Sequence, residues 1–180
     1  MICSAGVAER DIRESEPSDF PAIEALYPRA FPDEDLLALV KELLADRANT
    51  ISLVATSDST VVGNVIFTRG SVDGENAELA LLAPLAVAPE CQRQGIGSAL
   101  VGSSLRRLRA EGIAAVYVLG DPAYYGRLGF RPERSVSPPY PLPPEWADAW
   151  QSQALKKGAP PSGGTLRLPD YWLDPALWSP

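Results

Sequence analysis

The sequence predicts an α/β fold: a single mixed, mostly antiparallel sheet flanked by helices. Three observations lead there. Stretches with apolar residues at three- and four-residue spacing alternate along the chain with β-branched runs of period two. Near the middle, an apolar strand passes through a glycine-bearing loop straight into an amphipathic helix. The chain has 180 residues, 46% hydrophobic and 22% charged, which is the length of about one domain with enough apolar surface for a core.

Residues 10–13 read as a short strand. Pro17, Pro21 and Pro28 then punctuate a helical stretch carrying Ile23, Leu26 and Tyr27. Asp33 is placed to cap the next helix, in which Leu36, Leu37, Val40, Leu43 and Leu44 form an apolar face and Glu34, Glu42 and Asp46 face away. Residues 51–56 and 61–69 alternate and favour β-branched side chains, so they read as an antiparallel hairpin. After an Asp73-Gly74 turn, residues 78–88 form another apolar strand. Pro84 interrupts it and cannot donate a ladder hydrogen bond, which implies a bulge or a splayed edge. Residues 97–111, with the pattern Leu100, Leu105 and Leu108, Ala99 and Val101 beside them and Gly112 as a stop, describe an amphipathic helix. Residues 114–119 are a short buried strand. Asp121 or Pro122 opens a brief helix through Tyr125, Gly129 ends it, and residues 130–132 are extended.

The last fifty residues hold 11 of the 18 prolines, which break helices and ladders. They also hold Trp146, Trp150, Tyr171, Trp172 and Trp178, bulky surface that disordered chains lack, so an ordered wrap is expected rather than a flexible tail. The organisation expected is a core over 1–132 with an extension over 133–180 packed on the same domain.

The chain contains no histidine. That absence excludes Ser/His/Asp and Cys/His machinery and takes the commonest nitrogen ligand from any zinc or copper site, so no metal site is expected. A net charge of -7 argues against nucleic-acid binding, which needs a cationic face. No apolar run approaches the ~18 residues of a membrane helix, and no leader pattern opens the chain, so no membrane association is expected. Cys3 and Cys91 make no disulfide framework; both are expected as thiols in a reducing compartment, hence a cytoplasmic protein. The charge is uneven: residues 1–92 carry a net -10, and residues 93–134 carry seven arginines and a net +4. The middle of the chain can therefore hold an anion while the first half draws a cation.

The chemistry concentrates in residues 85–100, Leu-Ala-Val-Ala-Pro-Glu-Cys-Gln-Arg-Gln-Gly-Ile-Gly-Ser-Ala-Leu. Gly95 and Gly97 let the backbone approach a ligand, and the free amides of the loop and first helical turn form an anion cradle suited to a pyrophosphate. The loop lacks the lysine of a Walker A motif and the third glycine of a dinucleotide fingerprint, so nucleoside triphosphate and NAD readings fall.

At these residues the sequence resembles the GNAT superfamily of N-acetyltransferases, whose acetyl-CoA loop reads Gln/Arg-x-x-Gly-x-Gly/Ala and is matched by Gln92, Gly95 and Gly97. A second segment, Gly120-Asp121-Pro122-Ala123-Tyr124-Tyr125-Gly126-Arg127-Leu128-Gly129-Phe130, is similar to the family's later motif, in which a tyrosine lies five residues before a phenylalanine. It also resembles a bacterial subgroup of acetyltransferases carrying Gly-Asp-Pro-x-Tyr-Tyr. The resemblance implies acetyl-CoA as cosubstrate, a primary amine as acceptor, and direct attack through a tetrahedral intermediate. It implies that Leu85, Ala86 and Val87 offer main-chain hydrogen bonds to pantetheine, with the Val87 amide on the oxyanion. It further implies that Gln92, Arg93, Gln94, Gly95, Ile96, Gly97 and Ser98 hold the pyrophosphate, and that Asp121 and Tyr124 lie on the cofactor's other flank. Tyr125 is implied as the acid, or hydrogen-bond donor, for the departing sulfur. Arg106, Arg107 or Arg109 is available for the adenosine phosphate, against the plainer reading of a solvated helix face. The position where some members carry a glutamate base is Leu81, and Glu78, Glu75 and Asp73 are the nearest carboxylates. The resemblance is compatible with a homodimer. The alternative is a non-catalytic acyl-CoA-binding sensing or interaction module, which Leu81 favours and Tyr125 opposes.

Overall fold

In a computed structural model of the chain, residues 11–73, 78–156 and 161–179 are described. Arg10, Gly74, Glu75 and Cys3, which entered the reading above, lie outside them.

Strand β1 (Asp11–Glu14) pairs antiparallel with β2 (Thr50–Ser57), from Asp11↔Thr56 to Glu14↔Leu53. Between them run α1 (Phe20–Ala30) and α2 (Leu37–Ala45). Pro21 sits in the first turn of α1, where its missing amide costs nothing, and Pro28 falls in the last. Asp33 does not cap α2. A turn closed by the Glu34 amide on the Phe31 carbonyl (3.3 Å) takes up the chain there, so the helix starts later. The Asp35 carboxylate instead accepts the Leu37 amide at 3.4 Å.

β2 and β3 (Thr60–Val72) form the expected hairpin, longer than the alternation suggested. Asp58 and Ser59 both have positive φ, 49° and 63°, the conformation that a two-residue turn needs to match strand twist. β4 (Leu79–Val87) leads through a short 3-10 turn (Pro89–Cys91) into α3 (Ile96–Ala110) and on to β5 (Ala115–Leu119). β4 and β5 are parallel over Leu79↔Ala115 to Leu81↔Tyr117. The crossover helix buries Leu100, Val101 and Leu108 completely, and Gly112 (φ 90°) ends it while the Ile113 amide returns to the Leu108 carbonyl.

After α4 (Pro122–Tyr125) come the short strands β6 (Arg131–Pro132) and β7 (Val136–Ser137), then β8 (Trp150–Ala154) and β9 (Gly164–Arg167). The strand order is β1-β2-β3-β4-β5-β8-β6, with β9 on β3 and β7. β4–β5 and β7–β9 are parallel, while β1–β2, β3–β9, β5–β8 and β6–β8 are antiparallel. The sheet is thus mixed and mostly antiparallel, as expected.

Backbone contacts divide the chain into two units, 1–67 with 84–104 and 68–83 with 105–180; β3, β4 and α3 run through both. The first unit is cored by Ile23, Leu26, Val40, Leu43, Val54, Val65 and Leu100. In the second, Trp150, Trp172 and Trp178 are buried, and each indole N–H has a partner: the Val136 carbonyl (2.7 Å), Thr68 Oγ1 (3.0 Å) and the Trp172 carbonyl (2.9 Å). Among the described residues of the tail, these three rings contribute to the unit's core.

Candidate active site

In the first unit, β4 hands over to the glycine loop. The Ala88 amide donates to the Val62 carbonyl on β3 at 2.9 Å. Because strand amides alternate in direction, the Val87 N–H turns away from β3. Ala86 is buried, and Leu85 and Val87 are half-buried. The loop is stitched back onto this strand end: Gln92 Nε2 donates to the Val87 carbonyl (3.1 Å) and Gln94 Nε2 to the Glu90 carbonyl (3.2 Å). Arg93 (φ 59°) and Gly95 (φ 80°) are both left-handed, and a Cβ at Gly95 would meet nothing within 4 Å. The backbone angle, not crowding, therefore asks for glycine there. The first α-helical bond runs from the Ala99 amide to the Gly95 carbonyl (2.9 Å). The amides of Ile96, Gly97 and Ser98 consequently have no intrahelical acceptor, and the helix dipole adds positive potential. Gln92, Arg93, Gln94, Gly95 and Ser98 are exposed, while Ile96 and Gly97 are buried. Left-handed turns opening onto a helix N-terminus make a concavity for an anion.

In the second unit, β5 ends in the tyrosine turn. Asp121 caps α4, its carboxylate accepting the Ala123 amide at 2.8 Å. Tyr124 and Tyr125 meet edge to face (5.0 Å, 89°), and Tyr125 meets Phe130 likewise (5.6 Å, 75°). Gly129 (φ 97°) bends the chain so that the Phe130 amide reaches the Tyr125 carbonyl at 3.2 Å. Burial pushes the Tyr125 phenol well above its ordinary pKa, so it is a neutral donor at working pH. Its hydroxyl makes no hydrogen bond among the described residues. The Arg127 guanidinium stands 5.8 Å from the Tyr124 ring centre.

Residues 11–132 match the family profile of the acetyltransferase (GNAT) domain. The chain belongs to the GNAT family. Among its relatives, the protein named Uncharacterized N-acetyltransferase YjhQ of Escherichia coli (strain K12) is 35% identical over 163 residues, 87% of this chain and 90% of that protein. Uncharacterized N-acetyltransferase YhbS of the same strain is 42% identical over 120 residues, 66% and 72% of the two chains. The crystal structure of Escherichia coli YhbS in complex with CoA superposes with a TM-score of 0.82 at 32% identity, covering 95% of this chain and 96% of that one. A GNAT family acetyltransferase from Brucella melitensis in complex with acetyl-CoA gives 0.75 at 27% identity, covering 92% and 99%.

In this GNAT chain the remaining charged candidates are mostly engaged. Arg107 pairs with Glu111 (2.8 Å), as does Arg69 (2.5 Å), and Arg109 Nε donates to the Leu155 carbonyl (3.1 Å). Arg93, in contrast, makes no ion pair or hydrogen bond among the described residues. Leu81 is buried and, being leucine, offers no carboxylate. Glu78 lies 3.8 Å from Arg69, and Asp73 pairs with Arg167.

One expectation is overturned: Cys91 is disulfide-bonded, not a thiol. Its sulfur is therefore not available as a thiolate nucleophile, and the matching expectation for Cys3 lies outside the described residues. The cysteine count accordingly carries no argument about compartment.

Sequence reasoning missed a buried polar knot. Tyr27 Oη donates to Asn64 Oδ1 (2.8 Å) and lies 3.4 Å from the Pro84 carbonyl; Asn64 Nδ2 donates to Ser52 Oγ and to the Leu53 carbonyl, both at 2.9 Å. Asn64 is fully buried. The available signal was a single amide inside an otherwise apolar and β-branched run.

Proposed function

We propose that the protein transfers an acetyl group from acetyl-CoA to a primary amine by direct attack through a tetrahedral intermediate. The observation that carries this reading is the loop at residues 92–98, where left-handed Arg93 and Gly95 and the unpartnered first-turn amides of α3 form an anion cradle in a family with CoA-bound relatives. In this reading the cradle takes the pyrophosphate, with Arg93 adding charge. The main chain of Leu85, Ala86 and Val87 takes the pantetheine, and the Val87 amide polarises the thioester carbonyl and holds the developing oxyanion. Asp121 and Tyr124 lie along the cofactor, and the Tyr125 hydroxyl hydrogen-bonds the departing sulfur. The amine nitrogen forms its bond to the carbonyl carbon, the C–S bond breaks with its electron pair on sulfur, and the sulfur takes a proton. With Leu81 at the base position and no histidine, the amine enters neutral or loses its proton to water. The net -10 of the first 92 residues favours cationic amines as the acceptor class. An acetyl-CoA cosubstrate fits a cytoplasmic site of action.

The test is thiol release from acetyl-CoA across polyamines, amino acids, aminoglycosides and peptides. Turnover with at least one amine, slowed ~10-fold or more by Tyr125→Phe, is the expected result. Tight CoA binding with no turnover across the panel would replace this reading with the sensing module.

A further inference from the structure

Arg29 and Glu90 lie 61 positions apart and belong to the same unit. Arg29 is in the last turn of α1, and Glu90 is in the 3-10 turn that leads into residues 92–98. One guanidinium nitrogen donates to both carboxylate oxygens, at 2.7 and 2.8 Å. The helix end that presents Arg29 is itself fixed, because Tyr27 is tied to the buried Asn64. The Glu90 backbone carbonyl accepts from the Gln94 side chain, which ties the residue to the loop itself.

Both side chains are partly exposed, 54% and 36%, and such a pair adds little to stability. Its electrostatic effect is another matter. Two peptide steps separate Glu90 from Gln92, at most ~8 Å between Cα atoms, which is about one Debye length at physiological salt. An unpaired carboxylate there would repel an arriving diphosphate.

We propose that Arg29 is a positioning residue for acyl-CoA recognition: paired with Glu90, it cancels a negative charge beside the loop that takes the cofactor's diphosphate and so sets that loop's affinity. The proposal rests on the reading of the loop given under the proposed function. It has a directional signature. Loss of Arg29 leaves a bare carboxylate at the cradle, whereas loss of Glu90 removes the charge altogether and frees a cation.

The experiment is calorimetric titration of CoA into the full chain as wild type, Arg29→Gln, Glu90→Gln and the double variant, at low and high salt, with thermal melts to verify folding. Arg29→Gln is expected to weaken CoA binding ~3- to 10-fold at low salt and less at high salt. Glu90→Gln is expected to bind at least as tightly as wild type, and the double variant to return within ~2-fold of wild type. Acetyl-pantetheine, which lacks the diphosphate, is expected to show the same KM with wild type and Arg29→Gln. Equal weakening by both single variants, or a matching loss with acetyl-pantetheine, means the pair is only a mechanical tether and overturns the proposal. A wild type that fails to bind CoA overturns the functional reading itself.

Discussion

The ring of Tyr125 lies against the main chain of Gly120, so close that a Cβ at position 120 would stand 2.4 Å from Cε2 and 2.9 Å from Cδ2. Only glycine leaves room for the ring in this place. Gly120→Ala is therefore expected to push the phenol aside and lower kcat ~10-fold or more while leaving the KM for acetyl-CoA within ~2-fold. Adding Tyr125→Phe to it should cost little more, because both changes remove the same hydroxyl. Steady-state kinetics of the two single variants and the double variant check this, and an unaltered kcat in Gly120→Ala would detach the ring's position from turnover.

The Tyr125 phenol, raised by burial, stays protonated across the working range. With no histidine in the chain, the alkaline rise of kcat/KM should follow the acceptor amine's own deprotonation. Because burial raises the Tyr125 phenol, that rise should not be followed by a fall near pH ~10, where an ordinary tyrosine is half ionised. Acceptors of different amine pKa, measured across pH, should move the rise accordingly. A rise at one fixed pH for every acceptor would point to a protein base instead.

Tyr27→Phe removes the donor to Asn64 Oδ1 and leaves a buried acceptor without that bond. The expected loss is about 1–3 kcal/mol of unfolding free energy. Urea denaturation of the variant beside wild type measures it, and a loss below about 0.5 kcal/mol would mean that the site relaxes to satisfy the amide.

Asp19 accepts both guanidinium nitrogens of Arg13 (2.7 and 2.8 Å) and the Glu16 amide (2.8 Å). The Arg13 hydrogen bonds, with the Glu16 amide, hold its carboxyl below the usual range despite partial burial. A depressed folded-state pKa means that the unfolded chain binds the proton more readily. The stabilisation is therefore complete above the unfolded value of about 3.9 and fades as pH falls from there through the folded value. Asp19→Asn should flatten the acid limb of a stability–pH curve below about pH 4; an identical limb in both proteins would remove Asp19 as its source.

The order of elements was readable because each one declares its own period: Leu37, Val40 and Leu44 on α2, the β-branched run of β3, and the strand–loop–helix at residues 85–100. The loop was legible for a further reason, since Gly95 adopts a backbone angle that few other residues tolerate. Partnerships between distant residues were not legible. No local pattern couples Tyr27 to Asn64 or Arg29 to Glu90, because these contacts depend on how α1 lies over β3 and the loop. The Asp33 cap failed for a related reason: several acidic residues stand in a row there, and the turn after Phe31 decides which carboxylate meets a helix amide.

Among the described residues β6 is joined to β5 only through β8: Arg131 and Pro132 pair with Ser152 and Gln151, and β8 in turn pairs with all five residues of β5. A strand made earlier must wait for one made later. A nascent chain that has emerged only as far as Pro132 exposes one full edge of β5 and has no ladder for β6. On the ribosome, this half of the sheet can close only once residues 150–154 have cleared the exit tunnel, so synthesis of the proline-rich stretch between them sets the earliest moment at which it can fold.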